Sequence, residues 1–163
     1  MKLGIILICH NIENDIRMNH CIKYLNKVKD IKVCLVNNNS KDSTYGVLKK
    51  IKEDCRNVSI VNIKKFKSEN SAVKAGARFM SSQFNLKHLG FVDSMTVNKY
   101  KDLSLLIKMI RDNQIDISRY NENILRKKEI KLTLFQSLFS VMDYLAKRNI
   151  SKEPHGLNRL DEY

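Results

Sequence analysis

A chain of 163 residues, 43% of them hydrophobic, is long enough to bury a real core and too apolar to stay disordered. One proline and five glycines argue against flexible linkers, and no apolar run approaches the roughly 20 residues of a membrane-spanning helix. The net charge of +13 fits nucleic acid, an anionic membrane surface or a phosphorylated ligand, or reflects a composition rich in Lys, Asn and Ile.

The elements follow in order. Leu3–Cys9 (LGIILIC) is a continuous apolar run, the mark of a strand covered on both faces. It is short and lacks a small-residue cleavage site after it, so it does not read as a secretion signal. Glu13 to Val28 reads as a helix, with Ile16, Ile22, Leu25 and Val28 apolar. Lys32 to Val36 is a second buried strand, and Asn37 to Ser40 is a polar turn, a place where Asn tolerates left-handed backbone. Asp42 is placed as the N-cap of a helix running to about Asp54. Val58 to Ile63 is a third strand. Glu69 to Ser82 is a helix whose Ala72, Ala75, Gly76 and Ala77 allow close packing on a sheet. His88 to Val92 is a fourth strand and ends on Asp93. After a turn comes a helix from Lys101 to Arg111, then a weaker strand, Ile115 to Ser118, and a long last helix over 131–149.

Strand and helix alternate throughout. The expectation is one domain over residues 1–163, a three-layer α/β/α sandwich with a mostly parallel sheet and right-handed crossovers. In such sheets ligands bind beyond the carboxyl ends of the strands. An Asp at position 93 can there reach a metal or a ribose hydroxyl, and it can equally cap a turn.

Cys9, Cys21, Cys34 and Cys55 show no CxxC spacing and read as buried free thiols in a reducing compartment. His10, His20, His88 and His155 share no metal-ligand spacing. The basic residues are dispersed, as in Lys49-Lys50, Lys64-Lys65 and Lys127-Lys128. No interleaving of aromatic and basic residues and no recognition helix appears, which argues against nucleic acid.

The order of motifs resembles that of family 2 glycosyltransferases with a GT-A, Rossmann-like fold. Within the family it is similar to the polyprenyl-phosphate sugar transferases such as dolichol-phosphate mannosyltransferase. Leu3 to Glu13 (LGIILICHNIE) resembles the family's first strand and its Asn–Glu ending. Leu35 to Thr44 (LVNNNSKDST) resembles a strand followed by a pattern like VDDGSTDGT. Asn70 to Gly76 (NSAVKAG) resembles the start of the GAAVRAG helix. Gly90 to Ile107 resembles the strand, DxD motif and following helix. Ser118-Arg-Tyr120 looks like the GSRY segment, and His155 to Arg159 resembles the later Gly-Phe motif.

The resemblance implies a transferase that moves a sugar from a UDP- or GDP-sugar to an acceptor such as a lipid phosphate or surface glycan. Asn11, Glu13, Asn38 and Asp42 would hold base and ribose. The helix start near Asn70, with Lys74, would face the diphosphate, where the helix dipole favours negative charge. Asp93 would bind ribose or a divalent metal, Mg²⁺ or Mn²⁺, and Arg119 would face phosphate. The chain would be cytoplasmic, at the inner face of the membrane if it makes peripheral membrane contact, and a homo-oligomer is left open. The catalytic base is not identified.

The chain also departs from the family pattern. Met95 falls where the second DxD carboxylate belongs, and a thioether is a poor ligand for hard cations. Asn37, with Asn38 next to it, stands where a carboxylate is usual, Ser68 and Asn70 replace glycines, Lys152 replaces an acid, and the chain stops soon after the last motif. Three alternatives therefore stand beside the enzyme. One is a degenerate homologue that binds a nucleotide sugar without turnover, and another is a homologue that binds only a partner. The last is a basic α/β module for nucleic acid, whose binding would weaken steeply with salt.

Overall fold

The computed structural model describes residues 2–28 and 30–151. Five strands form one sheet: β1 (Leu3–Cys9), β2 (Ile31–Asn38), β3 (Val58–Ile63), β4 (His88–Val92) and β5 (Phe139–Ser140). Their order is β3-β2-β1-β4-β5, and every pairing is parallel. The central strand β1 is buried along its whole length, which is why its sequence is apolar without alternation.

Helices cover both faces. On one lie α1 (Met18–Asn26), α2 (Thr44–Asp54), α4 (Ser94–Tyr100) and α5 (Leu103–Asp112), packed on Leu3, Ile5, Leu7, Val33 and Leu35. On the other lies α3 (Glu69–Gln83), against Ile6, Ile8, Cys34 and Val36. Gly76 sits at the closest approach of α3 to the sheet. A Cβ there would come within 2.8 Å of Ile6 and 3.0 Å of Val36, both stiff β-branched side chains. Two further helices, α6 (Gln114–Arg126) and α7 (Val141–Ser151), close the side of the sheet by β4 and β5.

Several expected boundaries move. Asn37 and Asn38 belong to β2 and are buried, with Asn39 taking the left-handed turn position at φ 49°. The first helix is split into a single 3-10 turn, Glu13–Asp15, and α1. No turn follows Asp93, because α4 starts at once and Lys101, at φ 53°, links it to α5. Ile115 to Ser118 is not a strand but the first turn of α6, whose buried positions 117, 118 and 121 have helical spacing. A four-residue window was too short to show that period. The single helix over 131–149 is also overturned. Leu134, Phe135 and Leu138 pack beside α3 in a turn, the chain then adds β5 to the sheet, and only afterwards does α7 begin. A two-residue edge strand leaves no periodic signal. The sequence motif at 155–159 lies outside the described residues.

All four cysteines are free and buried. Burial pushes the thiols of Cys21 and Cys34 up to about 12, so neither is a nucleophile in the folded chain. No helix among the described residues is long and apolar enough to cross a membrane.

His88, at the start of β4, is buried at 4% exposure. Its Nδ1 accepts from Asn121 Nδ2 at 2.8 Å, and Tyr144 donates to Asn121 Oδ1 at 2.7 Å, which fixes the amide's orientation. Burial lowers the His88 pKa from its ordinary value of 6.5, opposed by nearby Glu122 and reinforced by Lys87. The sign follows from linkage. Below pH 6.5 the unfolded chain takes up this proton while the folded chain resists it, so stability is lost as the pH falls. Urea midpoints should drop between about pH 7.5 and about pH 5.5, with a shallower slope in His88→Gln. Equal slopes in the two proteins would remove His88 as the cause.

Candidate functional site

The loops after β1, β2 and β3 and the direct junction of β4 with α4 meet at the carboxyl edge of the sheet, and side chains tie them together. Asn11, at φ 50°, donates its backbone N–H to Ser40 Oγ at 3.0 Å and accepts from Lys41 N at 2.7 Å through Oδ1. Ile12 N donates to Thr44 Oγ1 at 2.8 Å. Asp42 uses both carboxylate oxygens, accepting from Thr44 N at 3.0 Å and from Glu13 N at 3.2 Å. Partial burial would raise its pKa, but the hydrogen bonds from Thr44 and Glu13 outweigh that and hold the carboxyl below its ordinary range. Asp42 is not the expected N-cap, since α2 begins at Thr44 with Ser43 in that place; one residue earlier, its carboxylate fastens the loop after β1 to the start of α2.

Asn38 is 2% exposed, and its amide spans one residue of the loop after β3. Nδ2 donates to Lys67 O at 3.0 Å, and Oδ1 accepts from Lys67 N at 3.1 Å. Its own backbone carbonyl accepts from His10 Nδ1 at 2.7 Å, and His10 Nε2 in turn accepts from Asn11 Nδ2 at 3.1 Å. Asn37 donates to Asn62 Oδ1 at 2.9 Å, while its own Oδ1 is buried and takes no hydrogen bond among the described residues.

Asp93 ends β4 and is the N-cap of α4, with Oδ1 accepting from Thr96 N at 2.7 Å. Its second oxygen takes no hydrogen bond among the described residues. Sequence reasoning missed its neighbour Glu69, the first residue of α3. Both Glu69 oxygens accept from Ser94, one from the backbone N–H at 2.6 Å and one from the hydroxyl at 2.7 Å. An acid in the first turn of a helix was visible in the sequence. Its long-range partner was not. The contact brings the start of α3 up to Asp93. Lys74 is exposed one turn further along α3, and Met95 is 79% exposed on α4.

Arg119 does not join this group. It lies on α6, lining a cavity of about 190 Å³ with Asp116, Tyr120, Asn123 and Tyr144. The same helix places Ser118 beside Leu3 and hydrogen-bonds His88, at the opposite ends of β1 and β4. A five-residue strand separates His88 from Asp93, about 17 Å at normal strand rise. A larger cavity of about 470 Å³, lined by Lys2, Asp30, Lys32 and Phe84 among others, is also at that amino-terminal edge. The carboxyl edge is by contrast an open ledge, with Asn11 exposed and Asp42 and Asp93 partly exposed.

Among the described residues no group of three or more His, Cys, Asp or Glu side chains is arranged to hold a metal. A cation held largely by a ligand's phosphates needs less. Mg²⁺ commonly takes one or two carboxylates with phosphate and water supplying the rest, and the unengaged oxygen of Asp93 fits that role.

The chain is similar to S. aureus TarS residues 1–349 in two crystal structures, one of them in complex with UDP-GlcNAc. Identities are 18% and 17%, and the TM-score is 0.42 in both cases. The matches cover 56% and 61% of this chain but only 26% and 31% of those chains, so this chain spans about a quarter to a third of their length. No curated protein matches. The glycosyl transferase family 2 model matches residues 5–154, from β1 through α7. The chain belongs to glycosyl transferase family 2.

Proposed function

We propose that this chain binds a nucleotide-diphosphate sugar on the carboxyl-edge ledge and transfers the sugar to an acceptor. The observation that carries the reading is Asp93, which stands at the end of β4 with one carboxylate oxygen unengaged and the start of α3 drawn up beside it. The N–H groups at the start of a helix favour a diphosphate, and Lys74 adds a cation nearby. In the reaction the acceptor oxygen attacks the anomeric carbon, the bond from that carbon to phosphate oxygen breaks, and a nucleoside diphosphate leaves. A bound Mg²⁺ or Mn²⁺ would neutralise the leaving charge. Asp93 would supply the protein's oxygen to it, and Met95 would supply none.

The second reading, nucleotide-sugar binding without turnover, is favoured by one feature. Asn37 and Met95 stand where the family pattern has carboxylates, and Asn37 is buried.

A thermal-shift panel of UDP- and GDP-sugars and the free diphosphates, with and without Mn²⁺, tests the shared step. Ligand at about 100 times its Kd adds about 2.7 kcal/mol to the folded state, so the melting temperature should rise. No shift at millimolar ligand would count against both readings. Product formation with a lipid-phosphate or glycan acceptor separates the enzyme from the binder. Met95→Asp should strengthen Mn²⁺-dependent nucleotide binding roughly ten-fold, the equivalent of about 1.4 kcal/mol. Unchanged affinity would place the metal elsewhere.

A further inference from the structure

One aromatic ring on the ledge is left over once the internal contacts are accounted for. Phe66, in the loop after β3, is 59% exposed, a large apolar surface among Lys64, Lys65, Lys67 and the helix cap Ser68. Its ring meets His10 edge-on, with centroids 5.1 Å apart and planes at 63°. Both supports are fixed in place. Asn38 clamps Lys67 on both sides of its peptide, and His10 is held between the Asn38 carbonyl and the Asn11 amide. The ring is therefore anchored from below and open above.

The polar side chains around it are already occupied. Asn38 spends its whole amide on Lys67, Asp42 spends both oxygens on Thr44 and Glu13, and Asn11 spends its amide on Lys41 and His10. These bonds tie each group into the frame of the ledge, and Phe66 is the large exposed apolar surface beside them. A flat apolar face flanked by lysines remains, and that combination suits a base joined to phosphates. Stacking on an aromatic ring tolerates any base, because every base has a π-face.

Resting on the donor-binding reading above, we infer that Phe66, braced by His10, stacks the nucleobase of the donor nucleotide and that the site accepts nucleoside diphosphates with little regard to the base. The chain contains no tryptophan, so Phe66→Trp creates a single-tryptophan protein with its reporter on the platform. Its emission should be quenched on titration with UDP, GDP or ADP and unchanged by inorganic pyrophosphate. Calorimetry on the wild-type protein should give affinities for the three nucleotides within about ten-fold of one another. Phe66→Ala should weaken all three by roughly ten- to a hundred-fold, while pyrophosphate binding stays as it was.

Three results overturn the inference, and they differ in what else they remove. If the wild-type protein binds nucleotides, Phe66→Ala binds them equally well and Phe66→Trp is silent, the base lies elsewhere and the donor-binding reading survives. If wild-type affinities differ by more than a hundred-fold between bases, edge contacts read the base and the tolerance claim fails. If the wild-type protein binds no nucleotide, both the platform and the donor site fall.

Discussion

Replacing Asn38 with aspartate is expected to lower the unfolding free energy by about 2–4 kcal/mol, although it restores the residue type of the VDDGSTDGT-like family pattern. The amide is buried, donates to Lys67 O and accepts from Lys67 N. A carboxylate keeps the second bond and loses the first, because it has no hydrogen to donate. It also sets a charge against a carbonyl oxygen in a site that is 2% exposed. Protonation restores the donor, so the folded state should hold that carboxyl above its ordinary pKa. The deficit should then be largest near neutral pH and shrink as the pH falls, measured by urea unfolding against the wild-type protein. A deficit independent of pH would mean that the new side chain turns out to solvent. No deficit at all would remove Asn38 as the clamp on the loop after β3.

The second large effect is expected at the opposite edge of the sheet. Gly90 in β4 is paired with Phe139 in β5. A Cβ on Gly90 would lie 2.7 and 2.8 Å from two ring atoms of Phe139 and 2.9 Å from Val141. The ring has little room to retreat, since it stacks on Tyr144 with centroids 4.3 Å apart and planes at 8°. Gly90→Ala should therefore cost about 1–3 kcal/mol by overpacking. Phe139→Ala should cost about 3–5 kcal/mol by removing a buried aromatic ring. The decisive number is their coupling: in the Phe139→Ala background, Gly90→Ala should lose most of its cost. Simple additivity in thermal or chemical unfolding would show that Phe139 does not lie over Gly90, and the register of β5 would have to be abandoned.

The core of the fold was legible because its strands are rich in apolar residues, without a break in the fully buried β1. LGIILIC, VSIVNI and HLGFV mark β1, β3 and β4 to the residue. The stretch after residue 112 was not legible, for two physical reasons. Ile115 and Ile117 alternate like a strand, although the buried set of α6 repeats with helical spacing. Leu134, Phe135 and Leu138 imitate a helical stripe, although the chain turns there and then adds a two-residue strand. The site divides in the same way. Asp93, Asp42, Asn11 and Glu13 do share one edge, as the alternation of elements required. What Glu69 and Asn38 do there depends on partners 25 and 29 residues away, Ser94 and Lys67. No local pattern carries that information. Arg119 follows the stretch expected as a strand, and the chain there forms α6, which carries it away from the carboxyl edge.

The braces at the carboxyl edge have an evolutionary corollary. In most α/β enzymes the parts that hold the scaffold and the parts that greet the substrate are separate, so one set can drift while the other stays put. Here Asn38 and Asp42 are joints of the frame at the very spot where recognition would be tuned. A lineage built on this arrangement would change its ligand most readily by altering loop tips and exposed rings, leaving its struts untouched.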